Sequence, residues 1–164
     1  QSTLPSVTVI GEHIAQYRKH MKEAPAPLNL NPAFGDVDVC RMTFVAPTDA
    51  KAKELSEEGI TRHMKSFMAG GSSTGGYLGD ISDKSGDEQF AYDNLMDGTI
   101  LHGSPDTVLR KIEDFKAVGT TSLMLHYPPY YGQERTLDML RLFAKEVLPH
   151  VQAMDVPRLV AAAE

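Results

Sequence analysis

Cysteine is almost absent: Cys40 is the only one, which excludes an intrachain disulfide and any cysteine-based metal cluster. A reducing, cytoplasmic compartment is the expectation that follows. Basic residues are in deficit, 16 Lys and Arg against 22 Asp and Glu, for a net charge of −6. Phosphate backbones are gripped by clustered Lys and Arg, so nucleic acid is not the expected partner. No apolar run approaches the length of a membrane span, and no signal-peptide pattern opens the chain. Catalytic signatures are missing too: there is no HExxH zinc helix, no dinucleotide-binding GxGxxG and no nucleophilic triad pattern.

What is present is an ordinary globular composition, with 41% hydrophobic and 23% charged residues over 164 positions. That length suits one domain with a real core. The most informative stretch is Gly103 to Tyr127. Ser104 offers an N-cap oxygen, Pro105 fills the first helical position, and Asp106 faces the positive end of the helix dipole. Val108, Leu109, Ile112, Phe115 and Val118 recur at helical spacing, and Gly119 stands where a left-handed C′ residue belongs. Leu123-Met124-Leu125 then reads as a buried strand. A helix delivering its chain into a buried strand is half of an α/β repeat.

Elsewhere the spacing predicts a helix over 6–23, capped by Ser6 or Thr8, with Ile10 and Ile14 in its apolar stripe. His13 and His20 share a face of it but lack a third ligand at a diagnostic spacing, so a solvated face is expected and no metal site. Residues 24–35 form a connector. Positions 37–46 carry apolar side chains on both faces, as a strand packed on two sides would, with Cys40 in the core and Arg41 out of character. A helix follows over 48–68, with Thr48 and Asp49 as rival caps and Gly59 as a place to bend or break. Thus 37–68 is one strand–helix unit and 103–151 a helix–strand–helix unit. Between them, 69–88 is read as a mobile excursion. Its GGSSTGG lacks the G-K-[ST] ending of a phosphate cradle. Residues 90–101 read as a short helix, 136–151 as the closing helix, and 155–164 as a tail.

One loop gathers polar aromatic groups: His126-Tyr127-Pro128-Pro129-Tyr130-Tyr131. It follows the C-terminal end of a strand, the side on which (β/α)₈ enzymes build their sites. His126, Tyr127 and Tyr130 are therefore the candidate lining of a substrate or flavin mouth, against the plainer reading of a rigid surface loop.

GSPDTVLRKIEDFKAVGTTSLML followed by RTLDMLRLFAKEVLPHV resembles the C-terminal end of the bacterial-luciferase-like flavin monooxygenases. The matching positions are Gly103, Pro105, Val108, Gly119, Leu123, Phe143, Glu146, Val147 and Pro149. TFVAPTDAKAKE at 43–54 and the Tyr17-Arg18 pair fit the same pattern. The resemblance implies an α/β fold, the C-terminal part of a (β/α)₈ TIM barrel holding its last two strands and their helices. A complete barrel takes about 250 residues, so the chain is expected to be part of a longer enzyme. That parent would use reduced FMN, or a deazaflavin in one branch, and O₂ to oxidise a small organic substrate. The family's groups for the flavin phosphate come from earlier strands, so no phosphate ligand and no catalytic base are carried over. This chain alone is expected to bind no flavin and to be inactive. It is expected to self-associate or to pack on a missing N-terminal part. A non-catalytic oligomerisation module and a non-flavin paralogue are the alternatives.

Overall fold

The computed structural model describes residues 5–23, 35–69 and 86–155. The excursion core at 70–85, the connector at 24–34 and the tail at 156–164 lie outside these. Helix α1 (Val7–Met21) starts at Ser6, whose hydroxyl accepts from Val9 N–H at 3.4 Å. Strand β1 (Asp38–Val45) follows, then helix α2 (Asp49–Ala69). After a 3₁₀ turn at Gly86–Phe90 come α3 (Tyr92–Met96), β2 (Leu101–Gly103) and α4 (Pro105–Ala117). Strand β3 (Ser122–His126), a 3₁₀ turn at Pro129–Tyr131 and helix α5 (Gln133–Leu142) lead to a π turn, Phe143–Val147, and α6 (Leu148–Gln152). The π turn ends two residues before Pro149, whose ring nitrogen cannot donate the helical hydrogen bond that residue would otherwise make.

All pairings are parallel, and β1 is the middle strand: Asp38 to Met42 pair with Ser122 to His126, and Thr43 to Val45 with Leu101 to Gly103. The expected neighbourhood of 37–46 and 121–127 is therefore present. The expectation of two strands is corrected to three among the described residues. Residues 90–101 are not one helix but a 3₁₀ turn, a short helix and the lead into β2. Polar His102 interrupts a three-residue strand, leaving no periodic signal to read.

The middle strand is buried at every position after Asp38, which explains its apolar residues on both faces. On one face Met42 and Phe44 join Ile60 and Met64 of α2, Leu95, Tyr131 and Met139 in the main core. Val39 meets Ile10, Ile14 and Phe115 in a second cluster. Arg41 is fully buried, donates to the carbonyls of Cys40 and Pro5, and lies 4.7 Å over the Phe115 ring. Burial lowers it to about 10. Cys40 is buried with its thiol pushed up by desolvation, the opposite of an activated nucleophile. Lys111 reaches from α4 to the carbonyls of Met96 and Ile100, at 2.6 and 3.0 Å, and burial pushes it down to about 8.

The two rival caps of α2 divide the work. Thr48 Oγ1 accepts from Lys51 N–H at 3.1 Å, within its own helix. Asp49 instead reaches α4: Oδ1 accepts from Ser104 N–H at 2.6 Å and Oδ2 from the Thr107 hydroxyl at 3.0 Å. Gly103 has φ +142, and a Cβ there would stand 2.8 Å from Asp49 Oδ1. The Ser104 N–H bond is the main cause holding the Asp49 carboxyl below its usual range. A depressed carboxylate contributes stability above its unfolded pKa and loses it as pH falls through the folded one. Asp49→Ala is expected to cost about 1 kcal/mol at neutral pH, the usual value of a lost helix cap. Urea melts should show the gap between the two proteins closing as the medium is acidified below about pH 4.

Candidate functional site

Strand β3 ends at His126 opposite Met42, three positions before β1 ends at Val45. The imidazole of His126 thus lies beside the second half of α2. There it meets His63, ring centroids 5.4 Å apart and planes at 84°. His63 also lies 6.1 Å from the Tyr130 ring and stacks on Phe67 at 6.3 Å. The Arg62 guanidinium sits 4.8 Å over Tyr130. Phe67 is 38% and Tyr130 39% exposed, so the cluster opens to solvent. Of the three residues the sequence singles out, His126 and Tyr130 converge on His63. Tyr127 is 46% exposed and joins no ring contact among the described residues.

His63, Phe67 and Arg62 also belong to the cluster, although the sequence does not single them out. Phe67 is read only as apolar helix, and nothing local distinguishes His63 from any polar helix residue. Burial, with the His126 imidazole second, holds His63 below its ordinary value, so it is neutral at pH 7. Its Nε2 is buried with no hydrogen-bond partner among the described residues.

A buried polar chain fixes the loop that carries Tyr130. Ser56 donates to the Ala52 carbonyl at 2.7 Å, which uses its one proton. It must then accept from His102 Nδ1–H at 3.0 Å, leaving Nε2 to accept from the Tyr131 hydroxyl at 2.8 Å. His102, Ser56 and Tyr131 are all buried, so this chain is a structural clamp between α2, β2 and the Pro129–Tyr131 turn. Gly59 lets that turn approach α2: a Cβ there would lie 2.8 Å from Tyr131 Cδ1 and 3.0 Å from the Tyr130 carbonyl oxygen.

The described residues gather aromatic rings here, but no cradle for a flavin phosphate. A phosphate wants free N–H groups at a helix N-terminus or paired arginines. The N-terminus of α4 is already filled by the Asp49 carboxylate. A shallow groove of about 590 Å³ beside α2 carries Arg62 and Lys65, but also Glu57 and Glu58. No helix among the described residues is long and apolar enough to cross a membrane.

No protein-family model matches the chain, and no curated protein sequence does. Solved structures do. The oxygenating constituent of 3,6-diketocamphane monooxygenase from Pseudomonas putida, a type II Baeyer-Villiger monooxygenase in complex with FMN, is similar over 74% of this chain and 34% of its own. The identity is 28% and the TM-score 0.58. Monooxygenase RslO1 from Streptomyces bottropensis matches 92% of this chain and 41% of its own, at 16% identity and TM-score 0.58. The coenzyme F420 dependent tetrahydromethanopterin reductase from Methanopyrus kandleri follows at 19% identity and TM-score 0.46, over 70% and 35%. The chain therefore spans between a third and two-fifths of the length of the structures it matches. Its fold is a small parallel α/β sheet similar to part of these luciferase-like enzymes.

Proposed function

We propose that this chain is the C-terminal portion of a luciferase-like, flavin-dependent monooxygenase and forms the last part of its TIM barrel. The observation that carries the reading is the 28% identity, spread over 74% of the chain, to an FMN-binding monooxygenase. The helix–strand–helix motif between Gly103 and Val151 supports it from the sequence side. In the whole enzyme, reduced FMN and O₂ serve to oxidise a small organic substrate; a deazaflavin is the alternative cofactor. The chain's own contribution is a wall: His126 and Tyr130, backed by His63 and Phe67, present ring faces and edges to a bound substrate or flavin. The flavin phosphate is held by residues outside this chain, in keeping with the carboxylate at the α4 N-terminus. Among the described residues β2 and β3 are the outer strands of the sheet, and their edges are surfaces for the rest of the barrel or a second copy to cover.

The test is turnover. The full-length parent, given reduced FMN and O₂, should oxidise small ketones or related substrates, while this chain alone should bind FMN weakly or not at all. In the parent, His126→Ala should lower kcat/KM about tenfold or more, as a lost polar contact costs about 1–3 kcal/mol. Unchanged kcat/KM returns His126 to a surface loop. A parent inert with flavin and deazaflavin alike favours the non-catalytic reading.

A further inference from the structure

We propose that His63 and His126 form a two-imidazole binding site for a divalent cation of borderline hardness, with Zn²⁺ the natural fit. The two residues come from different elements, α2 and the end of β3, and their ring centroids are 5.4 Å apart. Zinc–imidazole nitrogen bonds are about 2.0–2.1 Å long, so two rings on one tetrahedral ion hold their centroids about 5 Å apart. The observed centroid separation of 5.4 Å is close to that figure.

The second observation is the orphaned His63 Nε2, buried without a hydrogen-bond partner among the described residues. It is one of five buried side-chain polar atoms without a partner among the described residues, and the one of them that belongs to an imidazole; an ion or a water is a common reason for such an atom. His126 likewise forms no side-chain hydrogen bond among the described residues. Metal binding needs the neutral imidazole, and burial keeps His63 in that form. Imidazole selects Zn²⁺, Ni²⁺ and Cu²⁺ over Mg²⁺ and Ca²⁺. Among the described residues no group of three or more His, Cys, Asp or Glu could hold a metal. With two imidazoles as its ligands among the described residues, the ion takes water, or a small anionic or carbonyl ligand, at its other positions. This inference does not rest on the flavin reading.

Calorimetric titration of the full chain with ZnCl₂, and separately NiCl₂, in a weakly coordinating buffer near pH 7.5 tests it. One saturable site is expected, absent with MgCl₂ and weakening as pH falls through the imidazole range. His63→Phe and His126→Phe keep an aromatic contact and should each lose at least about tenfold in affinity. A His13→Gln, His20→Gln double variant should bind like the parent chain. If the phenylalanine variants fail to fold, histidine proton NMR of the unmodified chain with trace Cu²⁺ decides. The His63 and His126 signals should broaden before those of His13, His20 and His150. No saturable heat, equal binding by both phenylalanine variants, or broadening confined to the surface histidines overturns the proposal.

Discussion

His102→Ala should lower the free energy of unfolding by about 4 kcal/mol, the largest loss expected from any single side chain here. The side chain is fully buried between Phe44, Tyr92 and Tyr131, with ring centroids 5.7 to 6.0 Å away. Emptying a site of that size costs about 3–5 kcal/mol by loss of contacts and a cavity. It also strands the Tyr131 hydroxyl, which donates to His102 Nε2, at about 1–3 kcal/mol more. Partial collapse of the site recovers some of this. His102→Leu restores most of the volume and should leave mainly the stranded hydroxyl, about 2 kcal/mol. Adding Tyr131→Phe to it should then cost little, because the unpaired group is gone. Urea denaturation of the three variants measures these differences. A loss below about 1 kcal/mol for His102→Ala would show that the Ser56–His102–Tyr131 chain does not hold the fold.

The same residue sets an acid limit. Burial holds His102 well below 6.5, so the folded protein keeps it neutral while the unfolded chain can protonate it. Between the two pKa values the unfolded state binds the extra proton, and stability falls as pH falls. The slope is about 1.4 kcal/mol per pH unit below about 6.5. His63, also lowered, adds to it with the same sign. His102→Leu should be flatter with pH than the parent chain over pH 5 to 6.5, even though it is less stable at pH 7.

How much of this was legible without coordinates depends on the range over which the physics acts. Ser104, Pro105 and Gly119 announce α4 because capping and backbone conformation are settled within a few residues. Residues 37–46 announce a strand buried on both faces for the same reason. His126 and Tyr130 stand out because rings cluster in the sequence itself. His63 does not: its meaning comes from a residue 63 positions later, and a helical histidine on a polar background carries no signal. Strand β2 is hidden differently. It has three residues, and its central His102 becomes acceptable in a core only once Ser56 and Tyr131 supply partners. Gly59 is misread outright when judged locally, as a bend or break. The helix runs unbroken from Asp49 to Ala69, and the glycine answers to a neighbour in space.

That neighbour makes Gly59 a test of which effect wins. In isolation, Gly→Ala in a helix interior gains about 1 kcal/mol, and Gly→Val about half of that. Against this, the new Cβ would lie 2.8 Å from Tyr131 Cδ1, 3.0 Å from the Tyr130 carbonyl oxygen and 3.2 Å from its carbon. Two of those atoms are backbone and cannot rotate away, while the Tyr131 ring is wedged edge-on against Phe44 at 5.0 Å. The turn itself must move. Overpacking of this kind costs about 1–3 kcal/mol, and a displaced Tyr131 forfeits its bond to His102 for about 1 kcal/mol more. Gly59→Ala should therefore be destabilising by about 1–2 kcal/mol, and Gly59→Val, with two further methyl groups and less helical gain, by about 3 kcal/mol. Because Tyr130 rides on the same turn, its contact with His63 should loosen in step, and tyrosine fluorescence in Gly59→Val should respond less to added Zn²⁺ than in the parent chain. Gly59→Ala melting above the parent chain would mean that helix propensity outweighs the contact, and that the Pro129–Tyr131 turn does not press on α2.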